Sequence, residues 1–221
     1  MRLPPFKFSL IVASVLVITF LAGGFLFLSS LGDDSNPRLI PDQAMTAFLT
    51  PKPLREFALT DQNNNVFDLD RLKGSWSFLF FGFTHCPDIC PSTLASLSKL
   101  REQITKGVNG SKNVQFVFIS VDPKRDTAAI LKQYTGYFDP SIISVTGSEL
   151  ELRNLTGQLG ALFEVEPTPD KESYQVYHTS ALFLINPQGQ YAALLTPPFD
   201  ISTISRRFSV LKKINAINSP P

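Results

Sequence analysis

Cys86 and Cys90 are the only cysteines of this 221-residue chain, and His85 and His178 are its only histidines. A thiolate is both the nucleophile of disulfide exchange and the soft ligand for copper(I) or zinc, so the residue types point to thiolate chemistry of one kind or the other. Both cysteines lie in Phe83-Thr84-His85-Cys86-Pro87-Asp88-Ile89-Cys90-Pro91. If that segment is helical, residues four apart share a face one turn apart, which suits two ligands on a single ion. Cα atoms about 6 Å apart also admit a disulfide. The spacing is longer than the Cys-x-x-Cys of general thiol oxidoreductases. Buried cysteines acting as small hydrophobes are the plainer reading, but Pro87 and Pro91 beside them and their place at a helix start argue against it. Two thiolates are an incomplete metal site, so a third ligand is expected. His85 adjoins Cys86, and its imidazole is expected to point away from the face the thiols share. His178 is therefore the candidate, and imidazole with two thiolates suits copper in either oxidation state, or zinc.

These residues need elements to position them. The apolar run Trp76 to Phe83 reads as a buried strand, and Leu94, Leu97, Leu100 and Ile104 recur at helical spacing across Ser92 to Lys106. The thiols thus sit where a strand hands over to a helix N-terminus, whose unpaired N–H groups and partial positive charge favour thiolate. Ahead of them, two short runs around Asp61-Gln62-Asn63-Asn64-Asn65 predict a β-hairpin. Behind them, Val114 to Val121 is a strand that Asp122-Pro123 stops, and Asp126 or Thr127 can cap a helix running to about Phe138. Ile142 to Val145 and Glu149 to Leu162 repeat the strand–helix unit, and Glu164 to Tyr177 reads as a loop or irregular hairpin. Asn186-Pro187-Gln188-Gly189 then turns an antiparallel hairpin, and Ile201 to Ile217 closes the chain as a helix. Parallel strand–helix units followed by a terminal hairpin and helix predict an α/β, thioredoxin-like mixed sheet with flanking helices. In that layout the loop carrying His178 faces the cysteine helix.

The 20 basic and 19 acidic residues leave a net charge of +1 and no basic patch for nucleic acid. Phe8 to Leu28 is an uncharged run of 21 residues, enough to cross about 30 Å of hydrocarbon at roughly 1.5 Å per residue. It exceeds the apolar core of about 7–15 residues in a cleavable signal peptide, lacks a clear Ala-x-Ala site, and has no cysteine nearby for a lipid. Arg2 and Lys7 precede it and Asp33-Asp34 follow, which predicts a single-pass protein with its C-terminal domain outside the cytoplasm. The expected division is a cytoplasmic stub and transmembrane anchor over 1–28, a Pro-bearing linker over 29–53, and a thioredoxin-like domain over 54–221. A bacterial inner membrane facing the periplasm, or an equivalent compartment, is implied. Two cysteines four apart staple almost no chain, so their value there is chemical.

Phe83 to Pro91, then Ser120-Val121-Asp122-Pro123-Lys124-Arg125-Asp126-Thr127, then His178-Thr179-Ser180 closely resemble the SCO/SenC family, over roughly residues 50 to 217. Its members are membrane-tethered copper proteins with a thioredoxin fold that serve cytochrome c oxidase assembly. The resemblance implies Cys86, Cys90 and His178 as ligands of one copper ion. It also implies delivery to the dinuclear copper centre of the oxidase's copper-bearing subunit, with a copper donor protein upstream. Many relatives carry an acidic residue directly before this histidine, where Tyr177 stands here. A second reading is a thiol–disulfide reductase that keeps the oxidase's cysteines reduced, Cys86 attacking and Cys90 resolving. A peroxide-reducing enzyme on the same fold would want an arginine beside its cysteine, for which Arg101 and Arg125 are the nearest in sequence. Asp122 to Thr127 reads physically as a strand stop and helix cap, Asp88 as a solvated carboxylate, and the phenylalanines and Trp76 as core.

Overall fold

The computed structural model describes residues 44–105, 113–166 and 174–218. The first strands are β1 (Thr46–Pro53), β2 (Ala58–Asp61), β3 (Val66–Asp68) and β4 (Trp76–Gly82), followed by helix α1 (Ile89–Thr105). Then come β5 (Val114–Ser120), α2 (Ala128–Phe138), β6 (Ile143–Thr146) and α3 (Glu149–Leu159). The chain continues through β7 (Phe163–Val165), β8 (Val176–His178), β9 (Leu182–Ile185), β10 (Gln190–Leu195) and α4 (Ile201–Asn218). Eight strands form one mixed sheet in the order β1-β10-β9-β4-β5-β6-β2-β3, and β7 with β8 forms a separate antiparallel pair. The predicted thioredoxin-like α/β layout is the one found.

β4 is the centre of this sheet because nothing in it tolerates water. All seven of its residues are buried, as an aromatic-rich run demands when both faces of a strand are covered. It pairs parallel with β5, from Trp76 opposite Val114 to Gly82 opposite Ser120, and antiparallel with β9. Side chains alternate across it. Trp76, Phe78 and Phe80 enter the cluster that holds Cys90, Leu94 and Leu97 of α1, Leu131 of α2 and Phe208 of α4. Leu79, Phe81 and then Phe83 enter the opposite cluster with Leu152, Leu155 and Leu159 of α3. Burying each such side chain contributes about 1.5–3 kcal/mol relative to exposure, so the end of β4 is a stiff base for the loop that follows.

Two boundaries differ from expectation. From Thr46 the stretch read as linker is a strand, paired antiparallel with β10 and capped inward by the buried Met45. Backbone pairing at a free sheet edge outweighs the composition signal there, and Pro51 and Pro53 are tolerated because this is an edge strand. Of the loop or irregular hairpin expected over 164–177, the described residues form the hairpin strands, with Glu164 opposite Tyr177, as expected. Helix α1 starts at Ile89, so Cys86 precedes it and only Cys90 is helical. The expected membrane span, Phe8 to Leu28, lies outside the described residues. No helix among the described residues is long and apolar enough to cross a membrane.

Candidate metal centre

The loop between β4 and α1 brings the cysteine sulfurs together by folding back rather than by helical repeat. Cys86 N–H donates to the Phe83 carbonyl (3.3 Å), closing a turn, and Cys90 N–H donates to Cys86 Sγ (3.4 Å) at the start of α1. A free N–H of the helix N-terminus is thus spent on the first sulfur, as expected of such a terminus. Cys90 packs under the end of β4, fully buried, while Cys86 is half-buried. Gly82 makes that burial possible. A Cβ at this position would lie 2.7 Å from Cys90 Sγ and 2.7 Å from the Phe118 ring.

His178, at the end of β8, brings Nε2 to 3.4 Å from Cys90 Sγ. Its Nδ1 lies 3.2 Å from the Thr179 carbonyl oxygen. A carbonyl only accepts, so Nδ1 carries the proton and Nε2 presents its lone pair to the sulfurs. The rings of Phe80 and Phe83 stand edge-on to the imidazole, centroids 6.0 and 5.8 Å away, and fix its plane. The ligand atoms of Cys86, Cys90 and His178 all lie within 4.8 Å of one another. Two sulfurs and one imidazole nitrogen at this separation fit a soft or borderline metal ion with little movement. No other predicted side chain joins them. His85 is exposed, with Nδ1 3.1 Å from Thr84 Oγ1, and Asp88 and Tyr177 are exposed as well.

Burial sets the protonation of the inner ligands. It pushes the Cys90 thiol well up, a backbone bond at Phe83 opposes this, and the charge of Cys86, its hydrogen bond and Asp126 add to it. The thiolate preference expected of a helix N-terminus is overridden at Cys90, because a buried charge costs more than the helix end returns. Burial also lowers the His178 pKa, against backbone bonds at Thr179 and Phe81, and keeps the imidazole neutral. Without metal, Cys90 S–H is therefore the donor and Nε2 the acceptor. A bound cation must displace that proton.

The segment read as strand stop and cap does more than that. Thr127 caps α2, its side chain accepting from Ile130 N–H. Asp126 is not the cap. Fully buried, it accepts from Thr84 N–H (2.9 Å), Thr84 Oγ1 (2.5 Å) and Ser120 Oγ (2.5 Å), which ties it to the cysteine loop. Asp122 accepts from Tyr174 Oη (2.6 Å) and from Arg125 Nε, and the Arg125 guanidinium lies 3.7 Å over the Tyr174 ring. Arg125 is thus engaged with Asp122 and Tyr174, and Arg101 with Asp139 at 2.6 Å. The arginine that a peroxide-reducing cysteine would want is supplied by neither. Gly82, Thr84, Ser120, Asp126 and Tyr174 were not singled out from sequence as parts of the site. The available signals were a glycine ending the strand of buried aromatics and, for Thr84, Ser120 and Asp126, their place in the segments that carry the family resemblance.

The geometry agrees with known relatives. The SCO2-like protein of Rickettsia felis is 38% identical over 137 residues, 62% of this chain and 65% of that protein. The chain therefore spans about two thirds of the length of such relatives. Yeast Sco1 with copper bound superposes with a TM-score of 0.69 at 31% identity, covering 77% of this chain and 92% of that one. Copper-bound ScoI of Bradyrhizobium japonicum gives 0.61 at 31% identity, covering 71% and 99%. With the SCO1/SenC family matching residues 49–212, and Cys86, Cys90 and His178 assembled in one cluster, the chain belongs to the SCO1/SenC family.

Proposed function

We propose that this protein is a membrane-anchored copper metallochaperone that holds one copper ion through Cys86, Cys90 and His178. It would hand that ion to the copper-bearing subunit of cytochrome c oxidase during assembly of the dinuclear centre. The carrying observation is the Nε2–Sγ approach of 3.4 Å, with Nδ1 committed to the Thr179 carbonyl. An imidazole so oriented has a ligand's tautomer, which disulfide exchange does not need. Half-buried Cys86 is the ligand a partner's thiolate reaches first, while Cys90 and His178 hold the ion from below. Transfer then proceeds by stepwise exchange of sulfur ligands, and each arriving thiolate replaces one that departs. The anchor rests on the uncharged run Phe8 to Leu28 and places the domain outside the cytoplasm.

The test is a copper(I) titration of the full chain in mild detergent under reducing conditions, with a competing chelator to set the scale. Wild type is compared with Cys86→Ser, Cys90→Ser and His178→Ala. Tight one-to-one binding that each variant loses supports the centre. Binding indifferent to all three sinks it.

A second reading, a thiol–disulfide reductase, draws on the Cys90 N–H bond to the more accessible Cys86 sulfur. Cys86 thiolate would attack a partner disulfide and release one partner thiolate. Cys90 would then lose its proton and attack Cys86, releasing the second and leaving a Cys86–Cys90 disulfide. Trapping a stable mixed disulfide between Cys90→Ser and an oxidase copper-site peptide would support it. Failure to trap any, with tight copper binding intact in wild type, leaves the chaperone alone.

A further inference from the structure

Among the described residues, Ser120–Thr127 makes no hydrogen bond to Cys86, Cys90 or His178, yet both halves of the site are tied to it. On one side, Asp126 takes the Thr84 N–H and hydroxyl, two residues ahead of Cys86. On the other, Asp122 takes the Tyr174 hydroxyl, and Arg125 Nη1 donates to the Tyr174 carbonyl (3.2 Å), four residues ahead of His178. The segment is itself rigid. Asp126 N–H and Arg125 N–H both donate to the Asp122 carbonyl, at 3.0 and 3.3 Å. Ser120 Oγ accepts from Asp122 N–H (3.1 Å) and donates to Asp126, linking the two carboxylate residues. Val121 N–H donates to the Gly82 carbonyl (2.9 Å), which pins the turn to the strand end under Cys90.

We propose that this turn is a jig that sets the separation of the two halves of the metal centre, Asp126 positioning the cysteine loop through Thr84, and Asp122 with Arg125 positioning the histidine arm through Tyr174. All are positioning residues; none contacts the ion. Neither half is held by regular structure alone. Cys86 precedes its helix, and among the described residues β8 pairs with the three-residue β7 alone. A three-ligand site assembled from two segments, with Cys90 and His178 88 residues apart, needs a shared reference, because affinity depends on ligands held near final geometry before the ion arrives. Fully buried Asp126 answers the cost of burying a carboxylate with three donors, two of which belong to the cysteine loop. The inference rests on the metal-centre reading above, and its test separates the two.

Copper(I) affinity of the full chain is measured by chelator competition for Thr84→Val and Tyr174→Phe, each with His178 intact and in the His178→Ala background. Tyr174→Phe keeps the ring under Arg125 and removes only the hydroxyl. It is expected to weaken binding about 10-fold when His178 is present, and by less than about twofold when it is absent. Thr84→Val acts on the cysteines, so its loss is expected to be of similar size in both backgrounds. Amide hydrogen exchange on the metal-free chain is the second readout. It should quicken at 174–178 in Tyr174→Phe and at 84–86 in Thr84→Val. Overturning results are an unchanged affinity in Tyr174→Phe, or a loss equal in both backgrounds, which would make the turn a general stabiliser. If wild type binds copper(I) no better than Cys86→Ser, the metal-centre reading itself fails, and the exchange pattern alone then decides whether the turn holds each arm.

Discussion

Single atoms decide what the centre can hold. Gly82 has no Cβ where Cys90 Sγ and the Phe118 ring meet. Gly82→Ala therefore forces one of them aside, and the Phe118 ring is packed too tightly to yield freely. We expect a stability loss of about 1–3 kcal/mol in urea unfolding and a weaker copper(I) affinity in the same sample. An unchanged affinity would mean that the Cys90 thiol can shift without cost. For His178→Ala the expectation is larger, a loss beyond the roughly 10–100-fold typical of outer-sphere changes, because the proposed ligand rather than its support is removed. His85→Ala, by contrast, should weaken copper(I) binding far less than His178→Ala, since its ring stands outside the cluster and meets the cysteine loop's hold only through Nδ1 beside Thr84 Oγ1.

Elements carry the next level of control. Helix α1 must keep Cys90 under the sheet end, and hydrogen bonds from Ser98 and Arg101 hold it to the end of α2. Arg101 of α1 donates to the buried Asp139 carboxylate at the end of α2 (2.6 Å). Burial alone would raise the Asp139 pKa. The Ser141 N–H and hydroxyl, with Arg101, outweigh it and hold the carboxyl below its ordinary value. A folded-state pKa below the unfolded one stabilises the fold above the unfolded value, and the gain is lost as pH falls through the folded value. Stability should therefore be level above about pH 5 and decline below about pH 4, and Asp139→Asn should flatten that limb. Urea midpoints measured from pH 3 to 7 check this. An acid limb of equal steepness in the variant would assign it to other carboxylates.

Across the whole molecule, stability and metal binding are housed at opposite ends of one strand. Trp76 and Gly82 bound β4, so they stand about 20 Å apart at roughly 3.3 Å per residue. Phe208 of α4 packs edge-on against Trp76 (5.5 Å) and Phe78 (5.2 Å) at the end remote from the sulfurs. Phe208→Ala should cost about 3–5 kcal/mol of unfolding free energy, read by Trp76 fluorescence. Copper(I) affinity should stay within about twofold wherever the variant remains folded, because distant sites add independently. A parallel fall in affinity would show that the sheet transmits packing changes from one end to the other.

The candidate ligands and the frame were legible in the sequence. Two cysteines beside prolines at a strand–helix junction, one distant histidine, and alternating strand and helix signals are local patterns, and local patterns survive without tertiary context. It also marked 120–127 as a turn followed by a cap. Only the tertiary structure decided the rest. It places Cys86 outside the helix, raises the Cys90 thiol by burial, and turns a strand stop into the hold on both loops. Thr46–Pro53 became an edge strand for the same reason. Burial, and hydrogen bonds between residues 42 to 103 positions apart, depend on which segments meet, and no short-range periodicity encodes that meeting.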